Sequence, residues 1–211
     1  MKLAVYKDSN DKIRYIRFVS DGSPSGIRKE LDRYGLSFDD VVVKEESSLP
    51  DFGFSDYWYI DGNNVLVDEE SVLLASKKEK CAEIDEYKQT IFSTKLFTYD
   101  NNDYQINERV QMNYTAIGVK AMAVLQNLDT WPDPFHLMTY GNERINVTVS
   151  DFIEFSKAFL AVVSSVINIA RDHKDNIVGM IFEQGATLAQ KIEQIESYDH
   201  TTGWPLLKTI S

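Results

Sequence analysis

Three histidines, one cysteine and five clustered aromatic rings are the residues of this 211-residue chain whose types and spacing could do chemistry. His136, His173 and His200 are the only imidazoles, and the run Asp172-His173-Lys174-Asp175 has the composition of a metal site. A ligand pair on one helix face requires i, i+4 spacing, and His173 has Ile169 and Ile177 at those positions. The expectation is therefore no metal. Asp100 to Glu108 is rich in oxygen donors, but it lacks the central glycine and the twelfth-position glutamate of a calcium loop and reads as a hairpin turn. Cys81 stands at helical spacing from Lys77 and Ile84 without a nearby His, which predicts a structural thiol and not a nucleophile. As the single cysteine it excludes an internal disulfide and a Cys-based zinc site, and it points to synthesis in a reducing cytoplasm. No Gly-rich phosphate loop and no Gly-x-Ser-x-Gly elbow occurs, so the expected chemistry is non-enzymatic, with no cofactor.

The aromatic cluster is the stronger signal. Phe52, Phe54, Tyr57, Trp58 and Tyr59 surround Asp56 within one short segment. Large rings bury much area, so one reading is the core of a small domain. The functional reading makes these five residues a partner-binding anchor, since Tyr and Trp dominate interface hot spots. A sugar-stacking platform is the third. Trp131 and Trp204 each precede a proline at a helix end, where they are expected to cover the core.

The net charge of -11 argues against a nucleic-acid partner, which requires clustered Lys and Arg. The one dense basic run, Lys77-Lys78-Glu79-Lys80, reads as a solvated helix face. Met1 to Lys7 lacks the apolar region of a signal peptide, and no run reads as a membrane span, so neither export nor a membrane is expected. The sequons at Asn113 and Asn146 then carry no weight.

With 43% hydrophobic and 26% charged residues, the chain can bury a core without staples. The elements read as an α+β protein: a small N-terminal mixed α/β-sheet module, then a mainly helical domain with two β-hairpins. The expected divisions are a sheet module over 1–68, a connecting helix over 69–93, a helical domain over 94–205 and a tail over 206–211. In the module, strands at Leu3 to Tyr6 and Ile13 to Val19 flank the polar turn Asp8 to Asp11. Neither face of the second strand is cleanly polar, so cover on both sides is expected. After Asp21-Gly22, Ser23 and Pro24 open a short helix that Gly35 stops. Strands at Val41 to Val43, Tyr57 to Ile60 and Val65 to Val67 complete a ββαβββ order, with Asp61 to Asn64 as the last turn.

Helical spacing then runs from Asp68 to about Phe92, too short in heptads for a coiled coil. Val110, Tyr114, Ile117, Ala121, Val124 and Leu128 predict a helix over 108–128, broken by the prolines at 132 and 134. Ser150 is the expected start of another helix, whose apolar stripe is so wide that it should be largely buried. Its rhythm is interrupted at Arg171 to Asp175 and resumes to about Ser197, as one bent helix or two. Two hairpin segments read alike, Thr98-Tyr99 to Ile106-Asn107 and Thr139-Tyr140 to Ile145-Asn146, each leading into a helix, which suggests an internal duplication.

The order Phe97-Thr98-Tyr99, a helix carrying Gln111, Trp131, Val147-Thr148 before a Phe-rich helix, then Ala170, Lys174 and Ile177 resembles a helical domain of bacteriophage tail proteins. The resemblance spans roughly residues 83–204. In that family the domain often follows a small β-rich module, in tail fibre assembly proteins or structural tail components, and no catalytic residues carry over. The resemblance implies a non-enzymatic protein acting by protein–protein interaction. Its implied partners are tail fibre or baseplate proteins, or further copies of itself, in the virion tail or in the host cytoplasm during assembly. A carbohydrate-binding adhesin of the host surface is the alternative.

Overall fold

The computed structural model describes residues 1–18 and 23–210. The fold is α+β, with 51% helix and 20% strand, strands gathered at the N-terminus and helices after them. Two compact units divide the chain, Met1–Ser76 and Lys77–Ser211.

In the first unit β1 (Lys2–Lys7) pairs antiparallel with β2 (Ile13–Arg17) and with β3 (Val41–Glu45), so β1 lies in the centre. Leu3, Ala4 and Val5 are fully buried, because the two faces of this sheet are covered by different elements. Helix α1 (Pro24–Arg33) covers the Ala4 face with Ile27 and Leu31, beside Ile16 and Phe18. Ser23 caps it by accepting a hydrogen bond from the Gly26 amide, and Gly35 at φ +70° ends it, both as the sequence predicts. The hairpin β4 (Trp58–Asp61) and β5 (Asn64–Val67) covers the Val5 face with Trp58, Ile60, Val65 and Val67. Gly62 supplies the φ of +55° that its two-residue turn needs. The observed order is the expected ββαβββ. Val19, which the expected second strand included, and the Asp21-Gly22 turn lie outside the described residues.

Helix α2 (Glu69–Thr94) leads into the second unit. There β6 (Lys95–Tyr99) and β7 (Asn102–Gln105) form a hairpin joined at its outer edge by β10 (Lys208–Thr209). Helix α3 (Glu108–Leu125) follows, capped by Asn107, and ends three residues before the expected Leu128 because Asn127 takes a left-handed φ of 56°. A small hairpin of β8 (His136–Met138) and β9 (Arg144–Asn146) precedes α4 (Val149–Val178), and α5 (Leu188–Glu196) completes the order.

Several expectations change here. Helix α4 starts at a capping box in which the Thr148 hydroxyl accepts from the Asp151 amide and Asp151 accepts from the Thr148 amide, so the cap is Thr148 and not Ser150. The helix runs unbroken through Arg171 to Asp175 and stops at Gly179, because His173 turns inward and keeps the buried stripe intact. It is not largely buried: eight of its thirty residues are, on one face. By length and a mean hydropathy of 1.6 over 18 residues alone it would suffice to cross a membrane, which departs from the expectation that no run reads as a membrane span. The two hairpins differ in construction as well. Thr98 and Tyr99 are strand residues before a turn with Asp100 and Asn101 both at positive φ, whereas Thr139 and Tyr140 lie within the turn of the second hairpin. Asn107 caps a helix, and Asn146 is a strand residue.

The core of the second unit is aromatic. Phe155 sits at its centre, with ring centroids at 4.8 Å from Tyr104, 5.0 Å from Tyr114, 5.9 Å from Phe97 and 5.9 Å from Phe159. Trp131 packs against Phe152 and donates to the Val147 carbonyl, and Trp204 donates to the His200 carbonyl, so both cover the core.

Candidate functional site

Alternation along β4 decides the fate of the aromatic cluster. Trp58 points into the first unit and is 4% exposed, packed on Phe52 at 5.0 Å between centroids. Tyr15 and the Arg17 guanidinium close over Phe52 from β2. The Trp58 indole is therefore core, and it offers no ring face to a partner. Its Nε1 is buried without a hydrogen-bond partner among the described residues. Phe54 is half-buried within the 3-10 turn Phe52–Tyr57, which Asp51 caps at the Gly53 amide.

Tyr59 takes the opposite face. It is 44% exposed and stands directly across from Leu66, itself exposed, so the hairpin presents an outward apolar pair. Among the described residues the hairpin pairs with no third strand. Beside the pair lies a shallow cleft of about 650 Å³ whose lining includes Asp56, Tyr57, Tyr59, Asp68 and Ser71. Hydrogen bonds from the Ser71 hydroxyl and amide hold the Asp68 carboxyl below its ordinary range, so it stays ionised. Tyr57, Tyr59 and Asp68 thus form one surface, while Phe52 and Trp58 support it from beneath. Such a surface can stack a ring or an apolar side chain and accept hydrogen bonds.

The second unit carries sites that the sequence did not reveal. A cleft of about 340 Å³ between β8 and α3 is lined by Gln105, Asn113, Tyr114, His136, Thr139 and Tyr140 among others. Burial pushes the Tyr114 hydroxyl well above its ordinary value, which leaves it a neutral donor. His136 Nδ1 is buried without a partner among the described residues.

His173 has a structural part. Its Nε2 donates to the Thr202 carbonyl at 3.0 Å, because a carbonyl can only accept, and this leaves Nδ1 to accept from the Tyr198 hydroxyl at 2.8 Å. Asn176 donates to the same hydroxyl at 3.2 Å and closes the chain. Every polar group is used within the fold. Among the described residues no three His, Cys, Asp or Glu side chains converge as metal ligands would. Cys81 is half-buried beside Ile84, and desolvation raises its thiol above the ordinary value, which disfavours the thiolate.

The basic run is a solvated face only in part: Lys78 and Glu79 are exposed, whereas Lys77 and Lys80 turn to other elements. Lys77 Nζ donates to the Val178 carbonyl at 2.8 Å, at the last turn of α4, and the buried Lys80 donates to the Glu196 carbonyl at 2.9 Å, at the last turn of α5. Each lysine satisfies a carbonyl that a helix end leaves unpaired and meets the negative end of its dipole. Composition could not show this, since the partners lie about a hundred residues away.

A third feature is an uncharged band. Between Arg109 and Leu125, Lys120 is the one charged residue on α3, and between Lys157 and Arg171 α4 carries none. The outward faces expose Met112, Val119 and Met122 on α3, and Leu160 and Ile167 on α4.

The family model described as "Domain of unknown function (DUF4376)" matches residues 75–199, more than half of the chain. No curated protein and no solved structure matches it. The matched stretch takes in most of α2, both hairpins of the second unit, α3, α4 and α5, and the chain belongs to this DUF4376 family.

Proposed function

We propose that the protein is a non-enzymatic component or assembly helper of a bacteriophage tail, working through protein–protein contacts of its N-terminal unit. The observation that carries the contact surface is the Tyr59–Leu66 pair, two exposed apolar side chains opposed on a hairpin that pairs with no third strand among the described residues. Tyr is favoured at hot spots, and an unpaired strand edge accepts an extended segment of a partner by main-chain hydrogen bonds. The order of Phe97-Thr98-Tyr99, Gln111, Trp131 and Val147-Thr148 supports the tail assignment by resemblance.

Quantitative mass spectrometry of purified virions of the phage encoding the chain, beside the lysate cleared of particles, tests this reading. A fixed copy number per particle marks a tail component. Abundance in the lysate with absence from particles, joined to loss of fibre incorporation when the gene is deleted, marks an assembly helper. Absence from particles with unimpaired fibres on deletion overturns the tail reading.

The carbohydrate-binding alternative rests on the same cleft, where Tyr59 lies near Asp56 and Asp68 as a stacking ring near carboxylates. Tyr59→Ala distinguishes the two: lost glycan binding with intact fibre assembly selects the adhesin.

A further inference from the structure

A cleft of about 600 Å³ opens where the β6–β7 turn, strand β9 and the first turns of α4 come together. Tyr99, Tyr104 and Phe155 give it an aromatic wall, with centroids at 5.5 Å between Tyr99 and Phe155 and 4.8 Å between Tyr104 and Phe155. Asp100, Asp151 and Glu154 line it too, and no Lys, Arg or His does. Asp151 accepts from Thr148 through Oδ2, and Glu154 takes Lys157 on Oε1 at 2.7 Å, so each keeps a second oxygen for another donor. Exposed acids on a chain of net charge -11 need no ligand to explain them, and Asp100 suits the φ of 48° at its turn. The Tyr104 hydroxyl is different. Tyr104 is 2% exposed, and among the described residues nothing hydrogen-bonds to its hydroxyl. A buried tyrosine hydroxyl ordinarily finds a partner, as that of Tyr198 does in His173 and Asn176. Burial first, and then the charge of Asp100 beside it, raises the Tyr104 hydroxyl above its ordinary value and keeps it neutral.

We infer that this cleft binds a guanidinium group, laid against the Tyr99 ring and donating hydrogen bonds to the Tyr104 hydroxyl and the Asp100 carboxylate. The charge selects a cation. Three carboxylates against the single ammonium of Lys157 leave the cleft anionic, which excludes an anion and gives a neutral ligand no return for desolvating them. The acceptors select the kind of cation. A guanidinium carries donors alone, set in a planar fork that meets two acceptors at once while its face stacks on an aromatic ring. An ammonium is a compact, strongly hydrated point charge and uses such a wall less well. An arginine side chain of a polypeptide and a free alkylguanidine share this chemistry. The inference concerns the second unit and stands apart from the tail reading.

Amide chemical-shift titration of the full chain with N-acetyl-arginine amide is the test, with N-acetyl-citrulline amide as the uncharged probe of the same shape. Saturable shifts at Tyr99 to Tyr104 and Ile145 to Val147 are expected, with a Kd on the order of 1 mM for a ligand of this size, and none with the citrulline probe. Butylguanidinium, which has no backbone, separates the sources: tighter binding than the capped arginine marks a free guanidine, weaker binding a peptide. Asp100→Asn, which suits the same positive φ, should weaken binding at least about fivefold, and Tyr104→Phe, which keeps the ring, about threefold or more. Both should keep the circular dichroism spectrum. Asp61→Asn, an exposed acid of the first unit, should leave the Kd unchanged. No saturable shift up to about 20 mM, twenty times that Kd, overturns the inference. So does equal binding of the citrulline probe, an Asp100→Asn chain that binds as the wild type does, or an equal loss on Asp61→Asn, which would mean that overall charge and not the cleft attracts the cation.

Discussion

Trp58 and Tyr59 are neighbours in sequence with opposite surroundings. The Trp58 ring fills the space between β1, β3 and Phe52, whereas Tyr59 leans on Leu66 with its ring in water. Removing the indole leaves a cavity that the sheet cannot collapse to fill, so Trp58→Ala should destabilise the first unit by about 3–5 kcal/mol. Tyr59→Ala should stay within about 0.5 kcal/mol of the wild type, as surface changes do. Urea denaturation followed by circular dichroism checks both. Equal losses would mean that Tyr59 is packed. A binding experiment built on Trp58 would confuse unfolding with loss of contact, which makes Tyr59 the residue to change. The sequence displayed the five rings without their division, because Tyr57-Trp58-Tyr59-Ile60 is apolar at every position and a one-residue shift of register exchanges the faces.

At the scale of elements, what was legible depended on how local the determinant is. The β1–β2 and β4–β5 turns, the Ser23 cap and the Gly35 stop each need a few adjacent residues, and all fall where the sequence places them. The start of α4 is local too, but two hydroxyl residues compete for it. Ser150 precedes the apolar stripe, while Thr148 has an acidic residue three positions on and so closes a reciprocal box. Thr148→Ala should cost about 1 kcal/mol, and Ser150→Ala, an exposed first-turn change, less than about 0.5 kcal/mol, as read from thermal denaturation. Equal effects would mean that the helix frays to Ser150. Long-range determinants stayed hidden. Lys77 and Lys80 look like a solvated run until α4 and α5 bring carbonyls to them, and His173 looks like an interruption until Tyr198 and Thr202 receive its ring. The partial exposure of α4 was equally out of reach, since apolar width shows a demand for cover and not whether the same chain meets it.

For the molecule as a whole, charge sets the response to acid. Asp68 is held low by Ser71, Asp151 by Thr148, Asp40 by Ser37 and Asp199 by Thr201, in each case first through the side-chain hydroxyl and then the backbone amide. Asp85 is held low by Lys88 and then Lys174, and Asp103 by Lys208 and then Thr98. A folded value below the ordinary 3.8 means that the unfolded chain binds more protons in that range. The stabilisation is complete above the unfolded value and is lost as pH falls through the folded one, so the loss lies below about pH 4. Protonating the 33 acidic residues also leaves 22 Lys and Arg and three His unopposed, and the repulsion acts in the same direction. The Tm should therefore change little between about pH 7 and 5 and fall steeply below about pH 4. Asp151→Asn separates the specific contribution from the general one. It removes the carboxylate that accepts from Thr148, so its Tm should lie below the wild type at about pH 7 and converge on it at about pH 3, where the wild-type carboxyl is protonated too. A gap that persists undiminished at low pH would mean that Asp151 acts by shape and not by charge.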